Sequence, residues 1–174
     1  MVVVLMGVTG TGKTTVGKVL AARTGWRFAD ADDFHSAANR AKMHAGIPLT
    51  DQDREPWLQS LHLQIVAWLR DGVNGILACS ALKESYRTEL TSGTGPRAVR
   101  FVFLTGPPEL IRQRMETRYG HYMPESLLPS QLATLEPPHD AIQISIDQTV
   151  AAMVDQILSA LAKEGYAGVS EQNH

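Results

Sequence analysis

The densest chemical signal in the chain is Gly7-Val8-Thr9-Gly10-Thr11-Gly12-Lys13-Thr14, which matches G-x-x-x-x-G-K-[ST] at every fixed position. Glycine tolerates backbone angles that a side chain forbids, so successive N–H groups can turn inward around phosphate oxygens. A lysine at this place reaches β- and γ-phosphates, and the hydroxyl after it suits Mg²⁺. A chance match occurs in roughly 1 chain in 200 of this length, and the run also sits between a strand-like and a helix-like segment. Gly7 to Thr14, with Thr15 behind them, are the expected nucleotide-binding residues. Lys13 is also expected to act in catalysis, and Thr14 to ligate the metal.

Other residues say which kind of phosphate chemistry. Ile76-Leu77-Ala78-Cys79 ends in Ser80, not in the acid that motor and transport ATPases carry there. The Asn-Lys-x-Asp base-reading motif of GTPases is missing from the sequence. The acids instead gather at Asp30, Asp32 and Asp33, after the second strand-like run, where an acceptor would sit. That pattern favours a small-molecule kinase over a switch or motor. Asp30 and Asp32 could also simply cap a turn or the next helix. Asp51 and Asp53 suit the N-terminus of the helix carrying Trp57, as caps or as substrate contacts, with Pro56 in its first turn. Arg54 near that terminus is harder to explain, because the helix dipole disfavours a cation there. Lys83 poses the same puzzle if Ser80 caps a helix from Ala81. Both suggest an anionic ligand; the alternative is long side chains swung into solvent. Arg114 and Arg118, four residues apart, share one helix face that is either merely solvated or closes over phosphates. Cys79, ending an apolar strand, reads as core.

These residues need a frame. Val2 to Met6 reads as a strand buried on both faces, and Lys13 to Arg23 as the helix behind the glycine-rich loop. Further strands are predicted at Trp26–Ala29, Ile76–Cys79, Val99–Leu104 and Ile142–Ile146. Helices are predicted at about His35–Ala45, Asp53–Arg70, Ala81–Leu90, Pro108–Arg118, Glu125–Leu135 and Val150–Ala162. Alternation of this kind implies an α/β fold: a three-layer sandwich with a parallel sheet of about five strands and helices on both faces. Ligands gather at the carboxyl ends of such strands. Residues 1–164 are expected to form one domain, with a small lid at about 118–135 and a flexible tail over 165–174.

With 174 residues, 44% hydrophobic and 20% charged, the chain can bury a core without disulfides and is not globally disordered. Sixteen Lys+Arg against eighteen Asp+Glu leave a net charge of -2, which speaks against a nucleic-acid partner. The opening apolar run is too short for a signal peptide or membrane span, so no membrane role is expected. A single cysteine suggests a reducing compartment, and the expected location is cytoplasmic.

Beyond the loop, the residues resemble the gluconate kinase family, relatives of shikimate and nucleoside monophosphate kinases. The matching segments are Asp30-Ala31-Asp32-Asp33-Phe34-His35 with Asn39 and Lys42-Met43, then Pro48-Leu49-Thr50-Asp51-Gln52-Asp53-Arg54-Glu55-Pro56-Trp57-Leu58. Cys79-Ser80-Ala81-Leu82-Lys83 with Tyr86-Arg87 follows, then Arg114, Arg118 and Gly120-His121-Tyr122-Met123-Pro124, and finally Ser130-Gln131. Tyr122 stands where Phe is usual, and Ser36-Ala37-Ala38 replaces a more Pro-rich and basic stretch. The resemblance implies phosphorylation of D-gluconate on its 6-hydroxyl by ATP with Mg²⁺. It also implies that Asp32 prepares that hydroxyl, that Asp30 holds the metal through water, and that the enzyme is a homodimer. Arg114 and Arg118 become catalytic candidates. His35, Lys42, Arg54, Ser80, Lys83, Arg87, His121 and Gln131 join Asp32 as substrate-binding candidates, with Arg54, Lys83 and Arg87 expected at the carboxylate. A shikimate-type or nucleoside monophosphate kinase is the nearest rival, and a P-loop regulatory ATPase the rival from another class.

Overall fold

The computed structural model describes residues 1–116 and 127–166. Five parallel strands, β1 (Val2–Met6), β2 (Arg27–Asp30), β3 (Gly75–Ala78), β4 (Val99–Thr105) and β5 (Ile142–Ser145), lie in the order β2-β3-β1-β4-β5. Parallel neighbours need crossover connections, and helices supply them. These are α1 (Lys13–Thr24), α2 (Ala37–His44), α3 (Asp51–Arg70), α4 (Glu84–Leu90), α5 (Pro108–Glu116), α6 (Leu127–Thr134) and α7 (Val150–Lys163).

The unbroken apolar run of β1 follows from its central place. Val3 and Leu5 join a core with Val16 and Leu20 of α1 and Met153, Val154 and Ile157 of α7. Val2, Val4 and Met6 face the other way, into a core with Trp57, Leu61 and Ile65 of α3 and Tyr86 and Leu90 of α4. Each such side chain contributes about 1.5–3 kcal/mol by leaving water. Gly75 of β3 is a close-approach site: a Cβ there would lie 2.2 Å from the Trp68 ring of α3. Among the described residues, no helix is long and apolar enough to cross a membrane.

Several predicted boundaries shift, each for a local reason. The second strand runs Arg27–Asp30 instead of Trp26–Ala29, so Asp30 is its last residue. The stretch expected as one helix over His35–Ala45 divides. Ala31–Phe34 forms a 3₁₀ turn, His35 is extended, and Ser36 caps α2 by accepting from the Asn39 N–H at 3.1 Å. Helix α3 starts at Asp51, because Thr50 and Asp53 form a reciprocal capping box. Pro56 therefore lies inside α3, not in its first turn. Helix α4 starts at Glu84, not Ala81, since Ala81 has φ 44°, in the left-handed region that no right-handed helix includes. Ser80 is thus no cap. Of the predicted lid, 118–126 lies outside the described residues and 127–134 is α6; of the predicted tail, 167–174 lies outside them.

Candidate active site

The register places Asp30, Ala78 and Leu5 side by side at the carboxyl ends of β2, β3 and β1. The glycine-rich loop leaves β1 just beyond. Gly7, Gly10 and Gly12 have φ of 145°, 81° and 91°, which the loop's inward curl requires. No side chain caps α1 at Gly12 and no acid stands in its first turn, which leaves its N-terminal N–H groups and positive dipole end for an anion. Thr11, fully buried, donates from its hydroxyl to the Val8 carbonyl at 2.9 Å and braces the loop. The Lys13 ammonium lies over the loop, donating to the carbonyls of Gly7 and Val8 at 2.9 and 3.0 Å.

Thr14 donates from Oγ1 to Asp30 Oδ2 at 2.6 Å, and Asp30 Oδ1 accepts from the Asp32 N–H at 3.1 Å. Asp30 is therefore both a cap of the following turn and a partner of the loop's threonine. A hydroxyl beside a carboxylate is a hard oxygen pair that fits Mg²⁺.

The loop opens into a cleft of about 400 Å³, the size of a small-molecule site. Its lining includes Thr9, Gly10, Gly12, Lys13 and Thr14 of the loop, the acids Asp30, Asp32 and Asp33, and His35, Arg54, Trp57, Ser80, Tyr86 and Gln131. Asp32 is exposed on its 3₁₀ turn, and the Trp57 indole N–H holds that turn by donating to the Ala31 carbonyl at 2.7 Å. The His35 ring stacks on Trp57 with centroids 4.5 Å apart and planes 10° off parallel. Burial, reinforced by Arg54 and Arg40, lowers the His35 pKa to about 4, so the ring is neutral near pH 7. Its Nδ1 is buried without a hydrogen-bond partner. Gln131 on α6 reaches the loop, its Oε1 accepting from the Thr9 N–H at 2.7 Å.

Three predicted site residues, Lys42, Arg87 and Arg114, are absent from the cleft lining, and Lys83 stands at its margin beside Tyr86. Lys42 clamps both oxygens of Asp53, at 2.7 and 2.8 Å, and ties α2 to α3. Arg87 is buried, with Nη1 donating to the carbonyls of Ala81 and Leu82 at 2.9 and 3.2 Å, so it supports the β3–α4 connection from beneath. Arg114 donates to the carbonyls of Ile146 and Gln148 in the β5–α7 connection, not toward the cleft lining. Lys83 is not at N3 of a helix from Ala81: it directly precedes α4 and, beside the cleft-lining Tyr86, pairs with both oxygens of Asp51 at 3.0 and 2.8 Å. Arg118 and His121 lie outside the described residues. Cys79 is core, and burial pushes its thiol up to about 12.

Residue reasoning missed the site roles of Trp57 and Tyr86. Trp57 reads as core because its ring is core; only the structure shows its N–H under the acid-bearing turn. Tyr86 falls in a matching segment, yet nothing in its spacing points its hydroxyl toward the cleft.

A glycine-rich loop of phosphate-binding pattern on a five-stranded parallel sheet, opening into an adjoining acid-lined cleft, defines a P-loop kinase. Comparison narrows the class. A protein-family model described as an AAA domain matches residues 2–138. The probable gluconokinase of Xenopus tropicalis is 43% identical over 173 residues, covering 90% of this chain and 91% of that protein. The gluconokinase of Gluconobacter oxydans is 44% identical over 158 residues, covering 89% and 88%. A solved gluconokinase structure from Sinorhizobium meliloti matches with a TM-score of 0.83 at 40% identity, covering 93% of this chain and 91% of that one. The chain belongs to the gluconokinase family.

Proposed function

We propose that this chain transfers the γ-phosphoryl group of ATP to the 6-hydroxyl of D-gluconate, giving 6-phospho-D-gluconate and ADP. One observation carries the reading: the phosphate loop, the carboxylate residue Asp32 and a cation, Arg54, line one and the same cleft. An acceptor that carries both hydroxyls and a carboxylate suits a lining that holds both an acid and a cation.

In this reading, backbone N–H groups of Gly7 to Thr15 cradle the triphosphate and Lys13 swings from its loop carbonyls to the β- and γ-phosphates. Thr14, directly, and Asp30, through water, would hold Mg²⁺, which supplies neutralisation of phosphate charge when bound. Asp32 orients the 6-hydroxyl and takes its proton as the hydroxyl oxygen bonds to the γ-phosphorus. The bond from that phosphorus to the β,γ-bridging oxygen breaks, and ADP leaves. His35, Ser80 and Gln131 offer neutral hydrogen-bonding groups for the sugar hydroxyls, while Arg54 and Lys83 face the carboxylate. On the family resemblance, Arg118 is assigned to the transferring phosphates and His121 to the acceptor. Arg114, which also braces the β5–α7 connection, is the second cation assigned to the phosphates. On the family resemblance, the working form is a cytoplasmic homodimer.

A coupled ADP-release assay across gluconate, other sugar acids, shikimate and nucleoside monophosphates tests the reading. Turnover stimulated by gluconate above the others is expected. ADP release indifferent to every acceptor would point instead to a regulatory ATPase.

A further inference from the structure

Three donors converge on one carboxylate, that of Asp51, and two of them, Arg54 and Tyr86, line the cleft. Lys83 Nζ donates to Asp51 Oδ1 and Oδ2 at 3.0 and 2.8 Å, Arg54 Nη1 reaches Oδ1 at 3.4 Å, and the Tyr86 hydroxyl donates to Oδ1 as well. Arg54 also donates to the Tyr86 oxygen at 3.2 Å. Both cations lie over the same ring, the Arg54 guanidinium carbon 5.7 Å and Lys83 Nζ 5.3 Å from the Tyr86 centroid.

We propose that Asp51 is the positioning residue for recognition of the acceptor's carboxylate, gathering Arg54, Lys83 and Tyr86 into one fixed donor set. This rests on the assignment of Arg54 and Lys83 to that carboxylate. Lysine and arginine lose the most rotamer freedom when ordered, and two like charges above one ring repel. An anion between them offsets both costs before substrate arrives. Asp51 is available for this, because capping of α3 is already complete through Thr50 and Asp53, whose carboxylate accepts from the Thr50 N–H at 2.9 Å. One carboxylate against two cations also leaves the cluster a single net positive charge, the complement of a monocarboxylate. A role in bulk stability is weakly supported, since the Asp51 side chain is 65% exposed and exposed pairs stabilise little.

The test is steady-state kinetics of Asp51→Asn, Asp51→Glu and Tyr86→Phe, each with a thermal melt. Asp51→Asn should raise the gluconate KM about 10-fold with the ATP KM and kcat within about twofold of wild type. Asp51→Glu should recover much of the loss, and Tyr86→Phe should raise the gluconate KM by a smaller factor. If Asp51 only shielded the cations, Asp51→Asn would lower the gluconate KM, and that result overturns the proposal. An unchanged KM, or a parallel rise in both KM values, overturns it too. Arg54→Ala and Lys83→Ala separate the two levels: if both leave the gluconate KM at wild type, the carboxylate assignment itself fails. If both raise it while Asp51→Asn does not, only the role of Asp51 fails.

Discussion

Replacing Trp57 by phenylalanine isolates the strut beneath the turn that carries Asp32, the proposed base. The indole N–H donates at 2.7 Å to the carbonyl of Ala31, which is itself buried, so phenylalanine leaves an unpaired buried carbonyl. That costs about 1–3 kcal/mol, and the smaller ring adds a cavity penalty of about 1 kcal/mol. For a chain of this size each kcal/mol moves Tm by about 2–4 °C, so far-UV circular dichroism should show a fall of about 5–15 °C. Asp32 is the next residue in the same turn, so its carboxylate loses its fixed bearing on the acceptor. Gluconate kcat/KM should drop about 10-fold, with the ATP KM within about twofold of wild type. His35 keeps an aromatic partner, so lost stacking is a minor contribution. An unchanged Tm together with unchanged gluconate kinetics would refute the idea that Trp57 holds the acid-bearing turn.

Other perturbations have distinct readouts. Asp32→Asn should lower kcat by about 10²–10⁴-fold while ATP binding, followed by calorimetry, stays as in wild type; an unchanged kcat removes Asp32 from its role. His35 should make the fold acid-sensitive. Its folded pKa of about 4 lies below the ordinary 6.5, so between those values the unfolded chain binds more protons and stability falls as pH falls. Urea midpoints of wild type and His35→Gln at neutral and at acidic pH should converge or cross on acidification, and a constant gap would count against a neutral buried imidazole. Gly75→Ala should destabilise by about 1–3 kcal/mol in urea melts, because the new methyl meets the Trp68 ring.

What the sequence reveals divides along physical lines. The phosphate loop and β1 are legible because their signals are local: glycine backbone freedom and an apolar run buried on both faces. Asp30 and Asp32 are legible by their place after a strand, where α/β sheets collect ligands. Partners of long side chains are not legible. Lys42, Lys83 and Arg87 look alike as basic residues in matching segments, yet Lys42 meets Asp53, Lys83 meets Asp51 and Arg87 is buried under the Ala81 and Leu82 carbonyls. Lys83 does not oppose a helix dipole at N3, since Ala81 is left-handed and the helix starts at Glu84. Its charge nevertheless does sit beside the cleft, with an acid that the sequence places 32 residues away.

A kinase is defined by where its phosphoryl group goes, so the product decides the activity. ³¹P NMR of the reaction with ATP, Mg²⁺ and D-gluconate should show one phosphate monoester per ADP, its phosphorus coupled to the protons on carbon 6. Inorganic phosphate in place of the ester, or an ester on any other oxygen of the acceptor, would contradict the account.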